Sequence, residues 1–168
     1  MEWTTALRYK RYEDWTEEEK KQIKENMANS PWHTHYHVEP KTGLLNDPNG
    51  FSYFNGKWIL FYQNFPFGAA HGLKSWVQLE SDDLVHFKET GLKVLPDTPL
   101  DSHGAYSGSA MQFDDKLFLF YTGNVRDENW IRHPYQVGAL MDKEGKIEKI
   151  NKILIDQPTD STDHFRDP

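Results

Sequence analysis

The chain has 168 residues, a formal net charge of -7 at pH 7 and no cysteine. This length fits one domain with a core of its own. The negative charge, with no basic run, argues against a nucleic-acid partner, and the lack of thiols excludes disulfides and thiolate metal sites.

The first thirty residues predict a short helix. Thr16 fits the N-cap position, and Glu19 completes a capping box three residues later. The helix is expected to run to about Met27 and to end before Pro31. This segment holds many charges and no apolar run as long as a signal peptide or a membrane span. We therefore expect a helical extension over residues 1–30 of a cytoplasmic protein with no membrane partner.

Residues 31–168 consist of short aromatic and β-branched runs separated by turn formers, a pattern typical of strands. Asn55-Gly56 lies between two apolar runs and predicts a type I′ hairpin, and Asp114-Asp115 lies at a similar turn. The two hairpins match when Phe54 is aligned with Phe113, 59 residues later. The runs WILFY and LFLFY are expected to form sheet core.

A strand-only repeat of this length favours the blades of a β-propeller, and a β-sandwich is the alternative. Two units fit between Gly43 and Pro168, whereas a closed propeller needs about four to eight blades. The expected fold is therefore all-β and is the N-terminal part of a longer propeller.

The stretch from Asn46 to Gly50, NDPNG, is rich in turn formers and predicts a tight turn that presents Asp47 before a strand. The first strand of each propeller blade lines the central channel. Asp47, Ser107 and a third unit beginning near Asp167 would then face one funnel. A pair of carboxylates is what glycoside hydrolysis requires.

Four short blocks of this chain occur in the order found in glycoside hydrolase family 32, the invertase and β-fructofuranosidase family. They are Asn46 to Gly50, Tyr62 to Pro66, Tyr106 to Ala110 and Phe165 to Pro168. The chain resembles this family from about Trp32 onward, and most of all its bacterial members that act on sucrose 6-phosphate. The resemblance implies a five-bladed propeller. It also implies retaining hydrolysis of the β-fructosidic bond of sucrose 6-phosphate or sucrose, without a cofactor or a metal.

Carried over position by position, the resemblance makes Asp47 the nucleophile. Asp167 would hold sugar hydroxyls and stabilise the transition state. Trp76 is expected to wall the pocket. The residues implied to bind the substrate are Leu44, Leu45, Asn46, Gln63, Trp76, Tyr106, Ser107 and Arg166. The candidate cations for a substrate phosphate are Lys74, Arg132 and His133.

The chain departs from the family pattern in three places. His71 stands where several members have a Trp, and the block from Gln63 to Pro66 is varied. The acid/base Glu of the family lies downstream of the block that ends at Pro168. We therefore expect the 168 residues alone to be inactive.

Several other interpretations stay open at this point. A non-catalytic carbohydrate-binding propeller is the main alternative, and a related glycosidase acting on fructans or arabinosides is another. His33, His35 and His37 alternate, so on a strand they would share one face, either as a zinc site or as a half-exposed polar strand. Loop solvation is expected to explain a cluster formed by Asp97, Asp101 and His103.

Overall fold

The computed structural model describes residues 2–168, which form two four-stranded antiparallel sheets behind a helical N-terminal segment. The helical elements are α1 (Thr5–Arg8), a 3₁₀ turn (Tyr12–Asp14) and α2 (Glu17–Ala28). The first sheet contains β1 (Leu44–Phe54), β2 (Lys57–Phe65), β3 (Ser75–Ser81) and β4 (Lys88–Val94). The second contains β5 (Ala105–Phe113), β6 (Lys116–Arg126), β7 (Arg132–Met141) and β8 (Ile147–Ile155). Within the described residues, no helix has both the length and the apolar character needed to cross a membrane.

The helix cap and the hairpin turn that short stretches of the sequence predict are both present in the structure. The Thr16 hydroxyl accepts a hydrogen bond from the Glu19 N–H at 3.2 Å, and the Glu19 carboxylate accepts one from the Thr16 N–H at 2.8 Å. The capping box is therefore confirmed. Asn55 and Gly56 have φ values of 48° and 79°, and they form the two-residue turn between β1 and β2. Positive φ at both positions is the type I′ geometry that was predicted.

Each sheet is a meander in which strands follow one another in chain order. The first strands of the two sheets, β1 and β5, contact each other. Among the described strands none crosses from one sheet to the other, whereas a Greek-key sandwich exchanges strands. The arrangement is that of two adjacent propeller blades, so the propeller prediction is confirmed and the sandwich alternative is wrong.

The main hydrophobic core lies between the two blades. The predicted core runs contribute alternate side chains, including Ile59 and Phe61 on β2 and Leu119 and Tyr121 on β6, each at most 3% exposed. Full burial of a large apolar side chain contributes about 1.5–3 kcal/mol. This interface therefore fixes one blade against the other and sets the distance between β1 and β5.

The NDPNG stretch is not the turn that its composition predicts, because it lies inside strand β1. Leu45 pairs with Asn64 and Pro48 pairs with Tyr62. Two residues, Asn46 and Asp47, thus oppose the single residue Gln63, which makes a β-bulge. The turn-forming residues interrupt the hydrogen-bond ladder between β1 and β2 at this one position. Pro48 is tolerated because bulges and edge strands accept proline.

A second bulge occupies the corresponding place in β5. Tyr106 and Ser107 oppose Thr122, because Ala105 pairs with Gly123 and Gly108 pairs with Tyr121. The two bulges are 60 residues apart in the sequence. Strand β1 has a further register shift beyond Asn49 that the pairing of β5 lacks, which accounts for the 59-residue spacing of the hairpins.

A substitution at Gly108 would test how closely β5 approaches β6. A Cβ at this position would lie 2.0 Å from the Phe120 carbonyl oxygen and 2.6 Å from the Tyr121 Cα. We expect Gly108→Ala to lower the free energy of unfolding by about 3 kcal/mol or more, because backbone atoms cannot move aside cheaply. The measurement is the unfolding midpoint of the protein made from the complete reading frame.

The matched control is Gly91→Ala. Gly91 has a φ of 106°, and a Cβ there would meet no atom within 4 Å. Its expected cost is the backbone strain alone, about 1–2 kcal/mol. Equal losses in the two variants would contradict the close approach at Gly108.

Candidate active site

A cleft of about 400 Å³ opens where the two bulges meet. Its walls come from both blades and from the N-terminal segment. The lining residues are Arg8, Tyr9, Asn46, Asp47, Gln63, His71, Lys74, Tyr106, Arg126, Arg132 and Arg166. The first residues of successive units therefore converge on one cavity, although they lie far apart in the sequence.

The Asp47 carboxylate is held by a chain of donors. The Ser107 hydroxyl donates to Asp47 Oδ2 at 2.6 Å, and Gln63 Nε2 donates to Ser107 Oγ at 2.5 Å. Gln63 and Ser107 are buried, so the chain is protected from water. These two successive hydrogen bonds therefore fix the orientation of the Asp47 carboxylate.

Asn49 holds the backbone of the same bulge. Its Nδ2 donates to the Asp47 carbonyl oxygen at 2.9 Å, and its Oδ1 accepts a hydrogen bond from the Gly108 N–H at 3.0 Å. Asn49 is 3% exposed. The residue thus joins the first blade to the second directly beneath Asp47, a role that the sequence reasoning missed because it treated Asn49 as a turn former.

The segment that carries Arg166 and Asp167 is tied to the second blade. Gln136 Nε2 donates to the Phe165 carbonyl oxygen at 2.8 Å, and the Asp167 N–H donates to Thr122 Oγ1 at 3.0 Å. Arg166 lines the cleft as expected. The Asp167 carboxylate is half-exposed, lies 3.6 Å from the Arg166 Nε and is not among the side chains that line the cleft.

Four of the expected substrate-binding residues are not among the side chains that line the cleft, and one of them, Ser107, is buried and donates its hydroxyl to Asp47. Trp76 is fully buried between the blades instead of walling the pocket, because its side chain points from β3 into the shared core. Its Nε1 donates to the Tyr106 carbonyl oxygen at 2.9 Å, so it supports the second bulge from behind. Leu44 and Leu45 pack into two separate apolar clusters, and neither lines the cleft.

The cleft has a strong excess of positive charge in a chain whose net charge is -7. One carboxylate, Asp47, faces five cationic side chains, which are Arg8, Lys74, Arg126, Arg132 and Arg166. Three of the guanidinium groups have a buried Nε with no hydrogen-bond partner among the described residues, and these belong to Arg8, Arg126 and Arg132. Buried donors without partners are rare, and in a cleft they indicate a site for an anion.

Two further groups in the cleft have shifted pKa values. Burial lowers the pKa of Lys74 to about 8, with Asp47 opposing it and Arg166 acting in the same direction as burial. The cation of Lys74, together with burial and Arg8, lowers the pKa of His71. His71 is therefore neutral near pH 7, and Lys74 loses its charge at a pH where an ordinary lysine keeps it.

The fold brings together only two of the three side chains that were predicted to bind a substrate phosphate. Lys74 and Arg132 line the cleft, but His133 does not, because its Nε2 lies 3.1 Å from the Asp127 carboxylate. Arg8 and Arg126 were missed by the sequence reasoning. Neither lies in a recognisable motif, and only the fold places them beside Asp47.

The remaining candidate sites do not form. Across residues 2–168, no group of three or more His, Cys, Asp or Glu side chains is placed to hold a metal ion, and His33 pairs instead with Glu39 at 2.8 Å. Loop solvation does not explain Asp101, which is fully buried. It accepts a hydrogen bond from the Tyr121 hydroxyl at 2.9 Å and pairs with Lys149, so it ties the loop to the second blade.

Comparison with known proteins agrees with this fold. The family description "Glycosyl hydrolases family 32 N-terminal domain" matches residues 37–168. The chain belongs to glycosyl hydrolase family 32. Its bulge at Asn46 and Asp47 and the three later blocks thus lie within the matched part of a family 32 domain.

Relatives within family 32 are close. The chain is 74% identical to the sucrose-6-phosphate hydrolase of Streptococcus mutans serotype c over 162 residues, which are 96% of this chain and 34% of that protein. It is 56% identical to the sucrose-6-phosphate hydrolase of Lactococcus lactis subsp. lactis, over all of this chain and 36% of that protein. The chain therefore spans about a third of the length of the curated relatives that it matches.

Solved structures show the same likeness. The sucrose-6-phosphate hydrolase of Lactobacillus gasseri matches with a TM-score of 0.96 and 51% identity, over 99% of this chain and 34% of that one. The GH32 beta-fructofuranosidase of Bombyx mori matches with a TM-score of 0.76 and 30% identity, over 94% of this chain and 34% of that one. The two-blade architecture is thus shared beyond the bacterial relatives.

A substitution of Asn49 would test the link between the two blades. We expect Asn49→Ala to lower the free energy of unfolding by about 1–3 kcal/mol, because it removes both hydrogen bonds by which this buried side chain joins the blades. The measurement is the unfolding midpoint of the complete reading frame. Asn151→Ala, on the exposed strand β8, is the control and should change stability by no more than about 0.5 kcal/mol. Similar losses in both variants would contradict the proposed link.

Proposed function

We propose that this chain carries the nucleophile half of a β-fructosidase that hydrolyses sucrose 6-phosphate or sucrose with retention of configuration. The observation that carries the proposal is the Asp47 carboxylate, which is presented by a bulge and bound by Ser107 at 2.6 Å in a cleft of sugar size. The family, and relatives named as sucrose-6-phosphate hydrolases, support the same reaction.

In the proposed mechanism Asp47 attacks the anomeric carbon of the fructosyl unit and forms a covalent intermediate, which water then hydrolyses. Ser107 and Gln63 orient the attacking carboxylate. Asp167 would bind sugar hydroxyls and stabilise the positive charge of the transition state. Two observations support this role for Asp167. The neighbouring Arg166 lines the cleft, and the Asp167 N–H is held by a hydrogen bond to Thr122.

The leaving oxygen needs a proton, and retaining hydrolysis takes it from a second carboxyl group about 5–5.5 Å from the nucleophile. We assign this acid/base role to a residue outside the 168 residues, in the part of the relatives that this chain does not cover. The complete reading frame, rather than these residues alone, is therefore the active species in the proposal.

Asn46 is the best-supported sugar ligand in the first bulge. Its Oδ1 is buried in the cleft wall and has no hydrogen-bond partner among the described residues. A sugar hydroxyl would satisfy this acceptor. Gln63, Tyr106 and Arg166 also line the cleft and are proposed to contact the fructosyl unit.

A phosphorylated sugar fits the charge of the cleft better than a neutral one. Lys74, Arg126 and Arg132 would offset the two negative charges of the phosphate, and their desolvation makes each contact stronger than in water. We therefore propose sucrose 6-phosphate as the preferred substrate. Because so charged a sugar does not cross a lipid bilayer unaided, the proposed location of the protein is the cytoplasm.

The nucleophile is tested by Asp47→Asn in the protein made from the complete reading frame. Loss of the anionic nucleophile should lower kcat for sucrose 6-phosphate and for sucrose by about a thousandfold or more. Asp115→Asn, in the exposed turn between β5 and β6, is the control and should keep full activity. If Asp47→Asn retains the rate, Asp47 is not the nucleophile. If the folded, unmodified protein releases no sugar from either substrate, the non-catalytic sugar-binding alternative takes the place of this proposal.

The charge of Lys74 predicts a pH dependence. Lys74 is protonated below its pKa of about 8, so its attraction for the phosphate is present there and is lost as the pH rises through that value. The phosphate itself stays dianionic over this range, since its second pKa is about 6. The ratio of kcat/KM for sucrose 6-phosphate to kcat/KM for sucrose should therefore fall between about pH 7 and pH 9.

Lys74→Arg is the matched variant for this experiment, because arginine keeps its charge throughout the range. Its ratio should stay flat with pH. Using the ratio of the two substrates removes any titration of the acid/base group, which affects both. A flat ratio in the unmodified protein would show that Lys74 does not bind the phosphate.

A further inference from the structure

The N-terminal segment, residues 2–30, is docked on the first blade and is not a loose extension. Trp15 is 3% exposed and stacks on Phe67 at 4.4 Å between ring centroids, and Trp3 packs edge-on against Phe65 at 5.7 Å. The Tyr12 hydroxyl donates to the Leu73 carbonyl oxygen at 2.9 Å. These contacts fix the segment at the rim of the cleft.

Arg8 is held by its backbone at this rim. Its carbonyl oxygen accepts a hydrogen bond from the Leu73 N–H at 2.7 Å. The approach is so close that a Cβ on Gly72 would lie 2.5 Å from the same oxygen. The main chain of Arg8 therefore has little freedom, and its side chain enters the cleft from a fixed point.

Among residues 2–168, the charged Arg8 side chain has no hydrogen-bond or ion-pair partner. Its Nε is buried without a hydrogen bond, and no carboxylate in the described part of the chain lies within 4 Å of its guanidinium group. Desolvating a guanidinium group without a partner is costly, whereas an anion in the cleft would recover the lost hydrogen bonds. The planar donors of arginine suit the oxygens of a phosphate.

The same segment also supports a second cation of the cleft. The Tyr9 ring packs edge-on against Trp130 at 5.1 Å, and Trp130 lies 5.0 Å from the Arg126 guanidinium group. Arg126 in turn donates to the Trp130 carbonyl oxygen at 2.7 Å. The N-terminal segment thus contributes one cation directly and braces another.

We propose that Arg8 binds the phosphate of a phosphorylated sugar substrate, which makes the N-terminal segment a specificity element of the active site. This inference rests on the proposed function and extends it to residues outside the matched family domain, which begins at residue 37. The Lactococcus lactis relative aligns over the whole chain, so it shares an equivalent of this segment.

The test compares Arg8→Gln with the unmodified protein, both made from the complete reading frame. The measured quantity is the ratio of kcat/KM for sucrose 6-phosphate to kcat/KM for sucrose. Loss of a charged hydrogen bond to phosphate should lower this ratio by about tenfold to a hundredfold. Arg8→Lys keeps the charge and should recover part of the ratio.

Arg11→Gln is the matched control, because Arg11 belongs to the same segment but donates to the Pro96 and Ser102 carbonyl oxygens away from the cleft. Its ratio should equal that of the unmodified protein. An equal loss for both substrates in Arg8→Gln would overturn the proposal, because it would show that Arg8 only supports the structure. An unchanged ratio would overturn it as well.

A binding measurement separates this proposal from the proposed function. Glucose 6-phosphate and glucose are titrated into each protein by isothermal calorimetry. Tighter binding of glucose 6-phosphate that Arg8→Gln weakens about tenfold or more would support the proposal, even if no hydrolysis is found. Equal affinity for the two sugars in the unmodified protein would overturn it, even if Asp47-dependent hydrolysis is found.

Discussion

Asn49 joins the two blades at the point where the Asp47 carboxylate is presented, and the geometry of the cleft depends on this link. One side chain satisfies the Asp47 carbonyl and the Gly108 N–H together. Because Ser107 adjoins Gly108, the same link sets the distance over which its hydroxyl reaches Asp47. A change in the angle between the blades would therefore act directly on the orientation of the proposed nucleophile.

The paired bulges explain how a repeated sheet acquires a site. In a regular strand, side chains alternate between the two faces, and every backbone group joins the ladder. At Asn46-Asp47, and again at Tyr106-Ser107, two residues lie opposite a single residue of the neighbouring strand. The hydrogen-bond ladder is therefore interrupted at the same place in each blade. Side chains at both interruptions reach one cleft, while the core between the blades stays intact. Trp76 supports this arrangement from within the core, through the Tyr106 carbonyl.

The excess of cations around Asp47 makes the cleft attractive to an anionic substrate. The arginine Nε atoms without partners carry a desolvation cost that the rest of the fold must offset. The aromatic contacts of Trp15 with Phe67 and of Trp3 with Phe65 help to offset it, because they anchor the N-terminal segment that supplies Arg8.

The sequence by itself determined the features that depend on neighbouring residues. The capping box at Thr16, the type I′ turn at Asn55-Gly56 and the strand repeat follow from interactions over a few positions. The resemblance of four blocks to family 32 led to Asp47 as the proposed nucleophile. Only the tertiary structure decided that NDPNG forms a bulge, that Trp76 faces the core, and that cations distant in sequence converge, as Arg8 does. These outcomes depend on pairing and packing between segments far apart in the chain, for which local propensity holds no information.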